Sequence, residues 1–298
     1  MFAALELPFL PTYNDFQFKV KHKLNDKNEL TIIGLGALDQ FELNTKANQT
    51  VEQRYILKYL PVNEQWNYTL GAVYKRYREN GYNSLILSHN YLNNKAFKHI
   101  NNVQDSAKTF DYSSQEQEVK LRYETVTNLP AGFKLGYGAS AEYAKYTNST
   151  FNIVANKAFT DTLLYYTSLN MFHYGSYVQL SNKLFNQSLT LSTGLRIDGT
   201  NYSSAMNNPF NHVSPRLSAS YQLSNKISLN ASSGRYFQRP PYTAMGFRDN
   251  NQQLVNQQNG LSYITADHLV AGLEYLPNEQ SSISLEGFIK STRTTPTQ

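Results

Sequence analysis

SPRLSASYQLSNKISLNASSGRYFQRPPY, residues 214–242, is the stretch whose pattern decides the fold. Its first half alternates: Leu217, Ala219, Tyr221 and Leu223 fall on one side of an extended strand, and Arg216, Ser218, Ser220 and Gln222 on the other. Ser224-Asn225-Lys226 breaks the pattern with turn-forming residues. Ile227, Leu229 and Ala231 then resume it against Ser228, Asn230 and Ser232, so the unit reads as a β-hairpin with one apolar face. A soluble sandwich alternates too, with its apolar face turned into a core, and the hairpin alone does not say where that face points.

The same design repeats on either side. Upstream, Phe16, Phe18, Val20, His22 and Leu24 alternate with Gln17, Lys19, Lys21 and Lys23, and residues 25–28 turn the chain into Glu29 to Leu38. Residues 1–13 read as irregular because of Pro8 and Pro11, and Val51 to Leu60 reads as a short helix ended by Pro61. Trp66, Tyr68, Leu70, Ala72 and Tyr74 form the next apolar row. A turn at Gly81 leads to Tyr82 through Leu92, where the alternation is blurred. Val119, Leu121 and Tyr123 interleave with Glu118, Lys120, Arg122 and Glu124, a face whose charges need water or each other. Phe133, Leu135, Tyr137, Ala139, Ala141 and Tyr143 follow in a strand of about a dozen residues, twice the usual length of about 5–6 in globular proteins. Pairs over Leu169 to Leu184 with Ser188 to Asp198, and from Leu269 through Pro277-Asn278 to Ile289, complete about twelve strands.

Composition narrows the class. The chain has 298 residues and no Cys, which removes disulfides and thiolate metal sites. Charged residues make up 16%, against roughly 25% in soluble domains, while 23 Tyr and 16 Phe supply most of the aromatics. Tyr, apolar in its ring and polar at its tip, suits a boundary between lipid and water. Mean hydropathy is −0.52 and no apolar run approaches the roughly 20 residues of a spanning helix. A barrel crosses with only about 9–11 residues per strand and hides half of them in its lumen, so that value suits it as well as a soluble β protein. Residues 1–6 lack a basic region and do not read as a signal peptide. The formal charge of +5 is spread singly, without the clustered basic patch of a nucleic-acid binder.

The order of the connections is the discriminating feature. Short turns (25–28, 129–132, 185–187, 224–226, 277–280) alternate with long polar segments (39–64, 93–115, 146–162, 199–212, 239–262). That is the layout of an outer-membrane barrel, with short periplasmic turns and long extracellular loops. The fold class expected is therefore all-β, an antiparallel up-and-down transmembrane β-barrel. The run of Asn and Gln within 239–262 reads as too polar to pack.

No chemistry-bearing constellation emerges. His22, His89, His99, His173, His212 and His268 show no metal-binding spacing, and no G-x-S-x-G is present. Gly34, Gly36, Gly136 and Gly138, spaced by two, read as close contacts in a curved sheet and not as a phosphate cradle. No catalytic, cofactor-binding or metal residue is assigned, and no cofactor. Lys120, Arg122, Glu124, Lys134, Glu142, Arg196 and Arg216 are expected to face inward, lining a watery lumen, holding a plug or guiding a solute; Tyr242 and Phe247 are the loop aromatics within reach of a ligand.

LRIDGTNY (residues 195–202), the 214–242 hairpin and HLVAGLEYLPNEQSSISLEGF (residues 268–288) resemble TonB-dependent receptors of outer membranes, especially the Bacteroidetes type. LPFLPTYNDFQFKVKHKLNDKNELTIIGLGALDQF and YLPVNEQWNYTLGAVYKRY look like the middle of the same barrel. The resemblance implies a Gram-negative outer-membrane location, a barrel of about 22 strands around a plug domain, and energised uptake of an iron chelate or other large solute without chemistry on it. The implied partners are outer-membrane lipid, the plug, the TonB energy-coupling protein and a possible surface lipoprotein, with no nucleic acid. On this reading residues 1–298 are part of one barrel domain, a fragment covering middle-to-late strands with the plug outside it and the polar residues 291–298 ending it short of the family's last strands. The alternative is a self-contained barrel, a passive pore or membrane-embedded hydrolase, closed by pairing Phe16 to Leu24 with Ile283 to Ile289. A third reading, a soluble sandwich, requires its Leu and Tyr faces to be sealed between two layers.

Overall fold

A computed structural model describes residues 6–155 and 160–293; the leader reading at 1–5 and the tail at 294–298 lie outside the described residues. The strands are β1 (Phe9–Asn25), β2 (Asn28–Leu43), β3 (Val62–Arg78), β4 (Gly81–His99), β5 (Lys108–Asn128) and β6 (Lys134–Ala155). They continue as β7 (Thr160–Leu184), β8 (Leu189–Thr200), β9 (Val213–Ser224), β10 (Ile227–Gln238), β11 (Ile264–Asn278) and β12 (Ser281–Arg293). All 12 belong to one sheet, in sequence order, each antiparallel to the next. Among the described residues β1 and β12 have one partner each, so the pairing that a self-contained pore or hydrolase requires is not formed.

Because paired residues share a face, the register sorts every side chain. One row runs Leu87, Leu121, Ala141, Tyr174 across β4 to β7, and its neighbour on the opposite face runs Ser88, Lys120, Glu142, His173. Leu121 is 47% and Leu217 57% exposed, Leu135 is half-buried, and no second sheet covers them. A Leu left in water forfeits about 1.5–3 kcal/mol of burial. A whole face of them is stable only against lipid, which rules out the sandwich.

The apolar face carries two aromatic belts, as a bilayer requires at its two interfaces. Tyr74, Tyr123, Tyr137, Tyr221 and Tyr275 lie toward the short turns, and Trp66, Tyr68, Tyr91, Tyr143 and Phe172 toward the long connections. Trp66 stacks on Tyr91 with centroids 4.8 Å apart. His89, the polar member of this face, meets the Tyr68 hydroxyl at 3.2 Å and the Gln117 amide at 3.1 Å, so its ring nitrogens are not bare toward lipid. In β4 the blurred stretch resolves with Leu85, Leu87, His89 and Tyr91 outward and Ile86 inward.

Glycines serve close approach, as the spacing suggested. Phe16 and Phe18 fold their rings across the strand onto Gly36 and Gly34, where any Cβ would collide with the ring. This is the aromatic cover that shields a glycine's bare backbone. Gly81 closes the β3–β4 turn at φ 148°, a conformation other residues rarely adopt, with Val126 carbonyl where a Cβ would stand.

Several strand limits differ from the sequence expectation. β6 and β7 have 22 and 25 residues and occupy most of the 146–162 segment expected as a connection; 156–159 lie outside the described residues. β4 runs on to His99, β5 starts at Lys108, and β1 starts at Phe9 despite Pro11. The expected helix forms as α1 (Val51–Tyr59), started by a Thr50–Gln53 capping box.

Candidate luminal site

The long connections do not simply hang in water. Segments 201–212, with α2 (Ser204–Asn207), and 239–263, with α3 (Tyr242–Met245) and α4 (Val255–Gln258), fold onto the polar face of β6 and β7. There Tyr146, Met171, Met206, Met245, Leu261 and Tyr263 form the chain's one buried apolar cluster among the described residues. The expectation that 239–262 is too polar to pack is therefore wrong. Its amides bond backbone that would otherwise be bare: Asn256 Nδ2 donates to Ala244 O at 2.9 Å and Gln257 Nε2 to Tyr202 O. Thr167 Oγ1 donates to Gly246 O at 2.6 Å, and Tyr202 hydroxyl to Met245 O at 2.8 Å.

Beneath this block lie the charges. Glu142 is 4% exposed and forms ion pairs with Arg239 Nη1 at 2.7 Å and Lys120 Nζ at 3.0 Å, with His173 Nε2 3.9 Å away. Tyr242 hydroxyl donates to Glu118 Oε1 at 2.6 Å; burial, then this carboxylate, raises the phenol above its ordinary range. Burial alone pushes Tyr202 up to about 12. Toward the turns the next rows hold Arg122 with Glu124 at 2.6 Å, Arg196 forked onto Asp198 at 2.5 and 2.7 Å, and Tyr177 donating to Glu124 at 3.0 Å. Arg216 lies over the Tyr236 ring at 4.7 Å. Arg122, Glu124, Tyr177, Arg196, Arg216 and Tyr236 help wall a basin of about 440 Å³ in which Glu124 is the one carboxylate among the described residues.

Of the inward charges expected, Lys120, Arg122, Glu124, Glu142, Arg196 and Arg216 converge on this track; Lys134 stands apart at the turn end of β6. Tyr242 reaches inward to Glu118, and Phe247 packs edge-on against Tyr165 at 5.8 Å. His173, Arg239, Tyr177 and Tyr236 were not singled out from sequence. His173 and Tyr177 share the inward register of β7, within the Leu169 to Leu184 stretch read as strand, where apolar and polar residues alternate too weakly to assign the faces. Among the described residues no group of three or more His, Asp and Glu forms a metal-binding cluster.

The family described as TonB dependent receptor-like, beta-barrel matches residues 7–294. The chain belongs to that family of receptor barrels. No curated protein sequence matches it. Among solved structures, the copper transporter OprC aligns with TM-score 0.69 at 12% identity over 96% of this chain and 46% of that one. The ferric enterobactin receptor PfeA from Pseudomonas aeruginosa aligns with TM-score 0.66 at 14% identity over 95% and 43%. P. aeruginosa FpvA, solved bound to a pyoverdine, aligns with TM-score 0.68 at 13% identity over 95% and 42%. These likenesses establish the fold, and the chain spans less than half the length of each.

Proposed function

We propose that this chain is part of the barrel of a Gram-negative outer-membrane receptor for energised uptake of a scarce nutrient, an iron chelate or another large solute. Residues 1–298 contribute one stretch of barrel wall, of the Bacteroidetes type by the resemblance quoted above. Further strands pair with the free edges of β1 and β12, since an unpaired edge is not stable in lipid. A plug elsewhere in the complete receptor fills the lumen, and the TonB protein, with a possible surface lipoprotein, completes the machinery. No bond of the solute is made or broken.

The observation that carries the reading is the pairing of a lipid-facing apolar surface with a luminal track of arginines, over which two long connections fold inward. Such an arrangement draws in a solute bearing negative groups and presents it to polar side chains. The test is uptake of radiolabelled ferric chelates and anionic oligosaccharides by cells with and without the gene, with and without a protonophore. Gene-dependent, protonophore-sensitive uptake of one of them supports the reading. Recovery of the protein in the soluble fraction refutes it.

A further inference from the structure

Between the polar face of β5 to β8 and the base of the β10–β11 connection lies a cavity of about 160 Å³. Lys120, Arg196 and Arg239 line it against Glu142 and Asp198, three formal positive charges against two negative. Arg196 is taken up by Asp198 in a forked pair, whereas Lys120 and Arg239 share Glu142 within the cavity, with Glu118 acting on Arg239 from just outside it, so the donors of the lining outnumber its acceptors at that end. His173 forms the wall there. It is 7% exposed, and neither of its ring nitrogens has a hydrogen-bond partner among the described residues.

A buried polar group without a partner costs about 1–3 kcal/mol, so the site lacks something. The missing group has to accept hydrogen bonds, because ammonium and guanidinium only donate and one imidazole nitrogen carries a proton. A negative group fits these donors, whereas a metal cation would meet Lys120 and Arg239. We infer that this cavity binds one oxyanion group, a carboxylate or a phosphate, between His173, Arg239 and Lys120. The cavity, about 160 Å³, has room for one such group. The site rests on His173, Arg239 and Lys120 and stands whether or not the uptake reading holds.

The test uses the complete receptor extracted in detergent from the outer membrane, titrated with inorganic phosphate at constant ionic strength against chloride, with thermal unfolding as the readout. Phosphate raises the unfolding midpoint saturably. His173→Ala weakens the phosphate dissociation constant about tenfold or more, as loss of a charge-supported donor should, and Lys134→Gln, on β6 outside the cavity, leaves it unchanged. A parallel titration with acetate separates the sources: an acetate response as strong as that of phosphate points to a protein carboxylate, a response to phosphate alone to a free phosphate or a phosphorylated solute. Because His173→Ala risks misfolding, Ser140→Asp supplies a tethered carboxylate at the cavity wall. It raises the midpoint by itself and abolishes the phosphate response. Equal shifts with phosphate and chloride, or a phosphate response that survives Ser140→Asp, overturn the inference.

Discussion

Replacing Leu217 with Arg puts a charge where the account places hydrocarbon. Leu217 is 57% exposed on the outer face of β9, four residues from Tyr221 in the turn-side belt. Four residues span about 13 Å along a strand, and a tilt of about 40° reduces that to about 10 Å of depth. The apolar band of such barrels is about 25 Å tall, so Leu217 stands near its midplane, where an arginine costs about 2–4 kcal/mol. That is about 30- to 700-fold in the folding equilibrium. The paired control is Ser218→Arg, one residue on and facing the lumen, with an expected effect within about 0.5 kcal/mol. Urea titration of the complete receptor folded into phospholipid vesicles measures both by tryptophan fluorescence, to which Trp66, 40% exposed on the lipid side, contributes. Equal costs for the two substitutions would refute the assignment of faces, because only the solvent on each side distinguishes these neighbours.

Other consequences follow from named contacts. Glu142→Gln removes the carboxylate shared by the partly exposed Lys120 and Arg239 and is expected to destabilise by about 1–3 kcal/mol; limited proteolysis should then cut 239–263 faster. Gly34→Val drives out the Phe18 ring at a cost of about 1–3 kcal/mol, and adding Phe18→Ala should recover part of it in a double-mutant cycle of urea unfolding. Tyr202 is held neutral by burial, with its pKa pushed up from 10.0 to about 12. A raised acid contributes stability in full below pH 10 and loses it as pH rises through about 12, so amide exchange in 239–263 should accelerate across that window, less so in Tyr202→Phe.

The central part of the barrel was legible because lipid on one side and water on the other impose opposite chemistry on neighbouring residues. Leu217 and Arg216, or Leu121 and Lys120, read correctly for that reason, and the turns at 25–28, 129–132 and 224–226 fall between the strands as their Asn, Gly and Pro residues required. Above the bilayer both faces are wet. Lys145, Thr147 and Ser149 look outward in β6 while Asn148 and Thr150 look inward, so the alternation disappears although the hydrogen-bonded ladder continues. Strand ends there are invisible to hydropathy. The folded connection 239–263 was missed for a related reason: its few apolar residues, Met245, Leu261 and Tyr263, find their partners on β6 and β7 about a hundred positions away, and its amides saturate backbone instead of water. The inward charges were readable one by one, but their meeting at Glu142 depends on Arg239, which arrives from β10 and carries no local signal.

The direct measurement uses single-cysteine spin labels at each position from Leu217 to Gln222, in a stretch of wall with no native cysteine, with the complete receptor in vesicles, read for collision with oxygen and with an aqueous nickel complex. The account predicts a period of two, with Leu217, Ala219 and Tyr221 reached by oxygen and Ser218, Ser220 and Gln222 by nickel. Labels at Leu217 and Tyr221 shielded from both reagents would contradict it, since they would then lie in a protein core and not in lipid.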